Sequence, residues 1–296
     1  MLSPIELDKA EYLSLASVSK FVTFFSNIIS GAEKINSHFR IRDRRVPDNL
    51  LPSDGIVRIE TLEQAFENYW WNGKDFDGNT KILNSVANVV SKAIQSESQP
   101  SGDDDCLSAI HEVLRWGAGG EGQRLYVSNM KWAKDNRVGL AERLRQGRLA
   151  MSSATPNIKI FSEAYGPRMN AGFTKYYAFA CTDVVIYDGR VGAALGLITR
   201  TFCLKEGMEF VPEEISFRWG AQNAKRNPLN RDPSSEKYCF KQLPTAGGMR
   251  WAECNIRANW IISAALSRSS ASWCSASDGV RRIEAALFTL GYEIPS

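Results

Sequence analysis

Histidine is nearly missing from this 296-residue sequence, which has only His38 and His111. Its six cysteines, at positions 106, 181, 203, 239, 254 and 274, form no CxxC pair. A zinc centre needs clustered sulfur and imidazole ligands, so one has little to draw on here. The late cysteines are also too widely spaced for an iron–sulfur loop. No metal and no cofactor is expected, and reduced, mostly buried thiols are the expected state. No G-x-S-x-G elbow occurs, which removes the usual serine-hydrolase reading. Long apolar runs are missing too. The stretch Phe21–Ile29 is too short and interrupted to cross a bilayer, and no basic-then-apolar leader opens the chain. A cytoplasmic protein with no membrane partner is expected. Charge of one sign is scarce: 36 Lys and Arg against 33 Asp and Glu leave a net +3. A sequence pI near 8.5 permits nucleic-acid binding without demanding it, so any binding face must come from local clustering.

Alternating strand patterns are few, and no internal repeat is visible. What is present is helical periodicity around a hydrophobic content of 44%, ample for a core. Residues Glu11–Ile35 read as a helix, and His38–Arg45 as a basic extended segment. Thr61-Leu-Glu-Gln64 fits a capping box that opens a helix with Leu62, Ala65, Phe66 and Tyr69 on its buried face. Ile82–Ile94 reads as another helix. Ser96–Asp105, rich in breakers and acids, reads as a surface connection. It marks a division between a looser N-terminal helical region, residues 1–100, and a second domain, residues 101–296. Helical patterns resume at Cys106–Trp116, Val138–Met151, Ile158–Ala164, Phe173–Cys181, Arg190–Cys203, Cys254–Leu266 and Val280–Leu290. The expected class is mainly α.

Three features bear on function. Gly117-Ala-Gly-Gly-Glu-Gly122 has the spacing of a dinucleotide loop, but it follows a helical pattern where that loop follows a strand, so it reads as a helix stop. Between Arg218 and Arg257, the cations Arg218, Lys225, Arg226, Arg231, Lys237, Lys241, Arg250 and Arg257 alternate with Trp219, Tyr238, Phe240 and Trp251. That mixture suits phosphate contacts and base stacking, and equally a solvated loop. The third is the pair Lys175 and Asp188. Taken singly, a lysine near a helix start points into water and Asp188 is a good N-cap. Together, joined by apolar Tyr176–Cys181 and Val184–Tyr187, they read as a lysine and a carboxylate converging at a cleft.

The segments Ala171-Gly-Phe-Thr-Lys175 and Ile186-Tyr-Asp-Gly-Arg-Val191 resemble the helix-hairpin-helix DNA glycosylase superfamily. They are similar in particular to its bacterial 8-oxoguanine DNA glycosylase-like branch. Trp219-Gly220, Arg226-Asn-Pro228 and Cys254-Asn-Ile-Arg-Ala-Asn-Trp260 follow in that branch's order, so the likeness runs from about Phe161 to Leu266. The resemblance implies a helix-hairpin-helix glycosylase-like bundle that binds double-stranded DNA and excises an extruded, modified base. It implies Asp188 as the carboxylate that steadies charge on the sugar, and Lys175 as a nucleophile or a phosphate holder. DNA contacts are expected from Asn170, Gly172 and Thr174 of the hairpin, and from Arg190, Arg218, Lys225, Arg226, Arg231 and Arg257. Trp70, Trp71, Trp219 and Asn255 are expected around the base. The Lys-to-Asp separation of 13 residues is shorter than in familiar bifunctional members, so a weak or absent strand-cleaving step is expected. Some bacterial proteins of this branch resemble an anti-phage glycosylase that removes glucosylated hydroxymethylcytosine. That reading, with phage DNA as partner, is preferred here over 8-oxoguanine repair and over a DNA-binding module without catalysis.

Overall fold

The computed structural model describes residues 8–222, 228–275 and 277–295. It is mainly helical, with 57% of residues in helix and a single two-stranded sheet among the described residues. In chain order the elements are α1 (Lys9–Ser14), α2 (Ala16–Ser30), β1 (Ser37–Arg40), β2 (Ile56–Ile59), α3 (Leu62–Glu67), α4 (Phe76–Gln95), α5 (Gly102–Gly117), α6 (Arg124–Asp135), α7 (Leu140–Ser152), α8 (Phe173–Ala180), α9 (Gly189–Lys205), α10 (Gly248–Arg268) and α11 (Gly279–Leu290). Contacts group these into two compact units, each assembled from separated stretches of sequence. One comprises residues 1–76, 187–243 and 257–296; the other comprises 77–186 and 244–256.

In the first unit, α2 carries Phe21, Phe25 and Ile28 at helical spacing, all buried. Phe21 meets Phe202 of α9 edge-on at a centroid distance of 5.4 Å. Burying each such ring is worth about 1.5–3 kcal/mol, far more than any local propensity. The antiparallel pair β1–β2 sets Phe39 opposite Val57, and both side chains are buried. The capping box at Thr61 is present as the sequence suggests: Thr61 Oγ1 accepts from Gln64 N at 3.2 Å and Gln64 Oε1 returns the bond. Helix α11 packs on α3 and α9.

In the second unit, α5 packs against α6, α7 and α8. The acidic run that reads as a loop is in part structural, since α5 already begins at Gly102. Asp103 accepts hydrogen bonds from the amides of Gly139 and Ala141, each at 2.9 Å, and so caps the start of α7 from a neighbouring helix. Glu97 pairs with Arg148 of α7 at 2.6 Å.

Other boundaries differ from expectation for local reasons. Glu11–Ile35 is two helices, because Leu15 leaves helical geometry at ψ 132° while its carbonyl starts the next turn through Ser19. Ile158–Ser162 is a single 3-10 turn. Helix α6 has no counterpart in the sequence reading: its buried residues are only Asn129, Met130 and Ala133, too few and too polar for an apolar stripe. No disulfide joins the cysteines, of which Cys106, Cys203, Cys254 and Cys274 are buried. Among the described residues no helix is long and apolar enough to cross a membrane. Replacing a capping Asp by Ala costs about 0.5–2 kcal/mol, so Asp103→Ala should lower the urea-unfolding free energy by that amount, and Asp103→Asn by less. Equal stability of Asp103→Ala and wild type would show that the α7 start does not depend on this cap.

Candidate functional site

Asp188 is the N-cap of α9, as its position before Gly-Arg-Val suggests. One oxygen does the capping: Oδ1 accepts the amides of Arg190 at 2.9 Å and Val191 at 3.1 Å. Oδ2 accepts no hydrogen bond among the described residues. The cap is set in place by close backbone packing, because Gly189 faces Gly220 with no room for a side chain on either. Gly220 N donates to the Gly189 carbonyl at 3.3 Å. The strand-like run at Trp219 is held in turn by Leu243 N donating to the Trp219 carbonyl at 2.7 Å. A half-buried carboxylate thus lies fixed at the helix start, with one oxygen uncommitted.

Two cations of the same unit, Arg190 and Arg231, lie within reach of its charge. The Arg190 guanidinium lies 4.1 Å from the centre of the Phe288 ring and 5.0 Å from that of Tyr292. Arg231 Nε donates to the Tyr292 carbonyl at 3.5 Å, a long bond. Burial, with the neighbouring charge of Arg231, pulls the Arg190 pKa down to about 10, against the opposing effect of Asp188, Tyr292 and Asp43. Burial also lowers Arg231, against the pull of Asp188 and Tyr292. Asp43 is itself engaged by Arg45 through paired bonds of 3.1 and 3.2 Å. Phe288, Tyr292 and Asp43 escape sequence reasoning, since nothing local marks an aromatic pair at the end of α11 as a partner of α9.

The other expected residues are distributed as follows. Lys175 lies in the second unit, on α8, only 6% exposed, with Nζ donating to the Ala171 carbonyl at 2.8 Å. Its stem runs over Gly117, where a Cβ would overlap the lysine Cδ. The glycine that ends α5 therefore also makes room for Lys175. Asn170 organises the turn before α8: its Oδ1 accepts the amides of Gly172 at 2.8 Å and Phe173 at 3.1 Å. Its Nδ2 donates to Asn129, which also takes a bond from Arg168. Thr174 is fully buried and donates to Asn255 Oδ1 at 2.7 Å, while Asn255 Nδ2 donates to the Val185 carbonyl at 3.0 Å. Asn255 thereby ties α10 to α8 within that unit.

In the first unit, Trp70 is buried against Phe39 and Tyr292. Trp219 is buried with its indole N–H given to the Phe240 carbonyl at 3.0 Å. Trp71 is partly exposed, and meets Phe288 edge-on at 5.6 Å. Arg218 donates to the Gln242 carbonyl at 3.0 Å, and Arg257, buried, donates to the Glu213 carbonyl at 3.0 Å. Lys225 and Arg226 lie outside the described residues. The structure thus gathers Asp188, Arg190 and Arg231, with Trp71 near Phe288, and places Lys175, Asn170, Gly172, Thr174 and Asn255 in the other unit. Among the described residues no group of three or more His, Cys, Asp or Glu could hold a metal ion.

Overpacking a tight contact costs about 1–3 kcal/mol, so Gly117→Ala should destabilise the protein by that much, measured by urea unfolding. Lys175→Ala in the same chain should recover most of the loss; independent, additive effects would disprove the contact. Comparison with known proteins found no matching family model, no matching curated protein and no matching solved structure.

Proposed function

We propose that the protein is a DNA glycosylase that removes a modified base from double-stranded DNA and leaves an abasic site. The observation that carries this reading is the Asp188 carboxylate, fixed by one oxygen and open at the other. Breaking an N-glycosidic bond builds positive charge on the deoxyribose. A preorganised carboxylate lowers that barrier because it needs no reorientation as the charge appears. Its open oxygen can also orient a water towards the sugar carbon. Chemistry on a base requires the nucleotide to leave the stack, and the partly exposed Trp71 offers an aromatic surface for an extruded base. Cations beside the carboxylate suit a polyanionic substrate.

The motif order around Lys175 and Asp188 supports the same activity. Lysine attack on a sugar carbon requires a neutral amine and yields a covalent intermediate, after which the strand can be cut. The short separation of the two residues favours base removal with little or no cutting. The substrate we prefer is glucosylated hydroxymethylcytosine in phage DNA, whose removal would leave invading genomes studded with abasic sites; 8-oxoguanine is the alternative. Three duplexes separate these readings, carrying glucosyl-hydroxymethylcytosine, plain hydroxymethylcytosine or 8-oxoguanine. Mass spectrometry of the released base, with an aldehyde-reactive probe for abasic sites, should show release from the glucosylated duplex and an uncut strand. Release from 8-oxoguanine DNA alone would replace the defence role with repair. Binding to all three without release would leave a DNA-binding module and overturn the glycosylase assignment.

A further inference from the structure

Tyr69 reaches the surroundings of Asp188 from the far end of the first unit's sequence. It follows α3, with its amide given to the Phe66 carbonyl at 3.0 Å. The chain then turns tightly: Trp71 N donates to the Lys74 carbonyl at 2.9 Å, and Lys74 N donates back to Trp71 at 3.1 Å. The Tyr69 ring packs on Phe288 at a centroid distance of 5.8 Å and edge-on against Phe76 at 6.1 Å. Phe288 is also the ring over which the Arg190 guanidinium lies, just beyond the capping Asp188. Tyr69, Phe288, Asp188 and Arg190 all belong to the first unit.

Tyr69 is only 9% exposed, and its hydroxyl forms no hydrogen bond among the described residues. Buried tyrosine hydroxyls ordinarily find a partner, because an unpaired one costs free energy that phenylalanine would not. The ring alone makes the contacts with Phe76 and Phe288, so packing gives the oxygen no role. We infer that the Tyr69 hydroxyl is a specificity group of the Asp188 site: it donates to an added oxygen of the modified base, one that the ordinary base lacks. An ordinary base leaves this donor unpaired in a desolvated place, whereas an oxygen-bearing substituent completes it. A buried polar group rejects in this way the analogue that lacks its partner. Burial, with the charge of Glu284, holds the phenol above its usual pKa, so it stays protonated and able to donate. The charges of Arg190 and Asp188 act on it as well, which sets the hydroxyl in their cluster.

Base extrusion belongs to the glycosylase activity proposed above, and on that the inference rests. Affinity is the readout, so the test stands apart from base release. Binding is measured in the Asp188→Asn background, with duplexes carrying glucosyl-hydroxymethylcytosine or 8-oxoguanine beside their cytosine and guanine counterparts. Both modified bases carry an added oxygen, and the two arms separate its source. Asp188→Asn should prefer one modified duplex over its ordinary counterpart. Adding Tyr69→Phe should reduce that preference about 3- to 10-fold, the effect of one hydrogen bond, with affinity for the ordinary duplex unchanged. Alone, Tyr69→Phe should melt at or above the wild-type temperature, because it loses no hydrogen bond within the protein. A lower melting temperature would make the hydroxyl structural and overturn the inference. No preference before the substitution, or a preference kept in full after it, would overturn it too, whatever base the wild type releases. A preference that Tyr69→Phe removes, in a protein that releases no base, would overturn the glycosylase activity and keep Tyr69 as the reader.

Discussion

The Oδ1 atom of Asp188 takes up two amides that would otherwise be left bare at the start of α9, and the rest of the first unit is built around that arrangement. A helix start without such a partner leaves donors unsatisfied, and here the partner is a charged group. Capping with one oxygen fixes the other in space at no additional cost in side-chain entropy. The backbone of Gly189 lies against Gly220, α2 covers the body of α9 through its phenylalanines, and α11 lies along it. A carboxylate on a loop would have to be ordered at the moment of reaction; this one is ordered by folding.

Electrostatics sets a second constraint. The charge of Asp188 acts on both Arg190 and Arg231, and that of Asp43 on Arg190, so the two buried cations are balanced in part by two carboxylates. The carboxylates and the arginine pair form one electrostatic unit.

Much of this was legible in the sequence wherever the cause is local. Thr61 and Gln64 announce their capping box, and Asp188 its cap, because three or four adjacent residues decide both. Helices α5 and α9 to α11 follow from apolar spacing. Cause at a distance leaves no such mark. Gly117 reads as a helix stop, yet its missing side chain also accommodates the Lys175 stem from α8. Asp103 reads as part of an acidic loop, yet it caps α7. Phe288 and Tyr292 belong to the surroundings of Arg190, nearly a hundred positions earlier, through the packing of α11 on α9. The discontinuity of both units has the same origin, since segments distant in sequence share one core.

The central claim is that Asp188 acts through its charge and not only through its cap. Asparagine caps a helix about as well as aspartate, so Asp188→Asn separates the two roles. The measurement is single-turnover base release by Asp188→Asn and wild type, beside their unfolding curves. The account predicts a folded variant, destabilised by no more than about 1–2 kcal/mol, that releases base at least about 100-fold more slowly. An equally stable variant that releases base at the wild-type rate would contradict it.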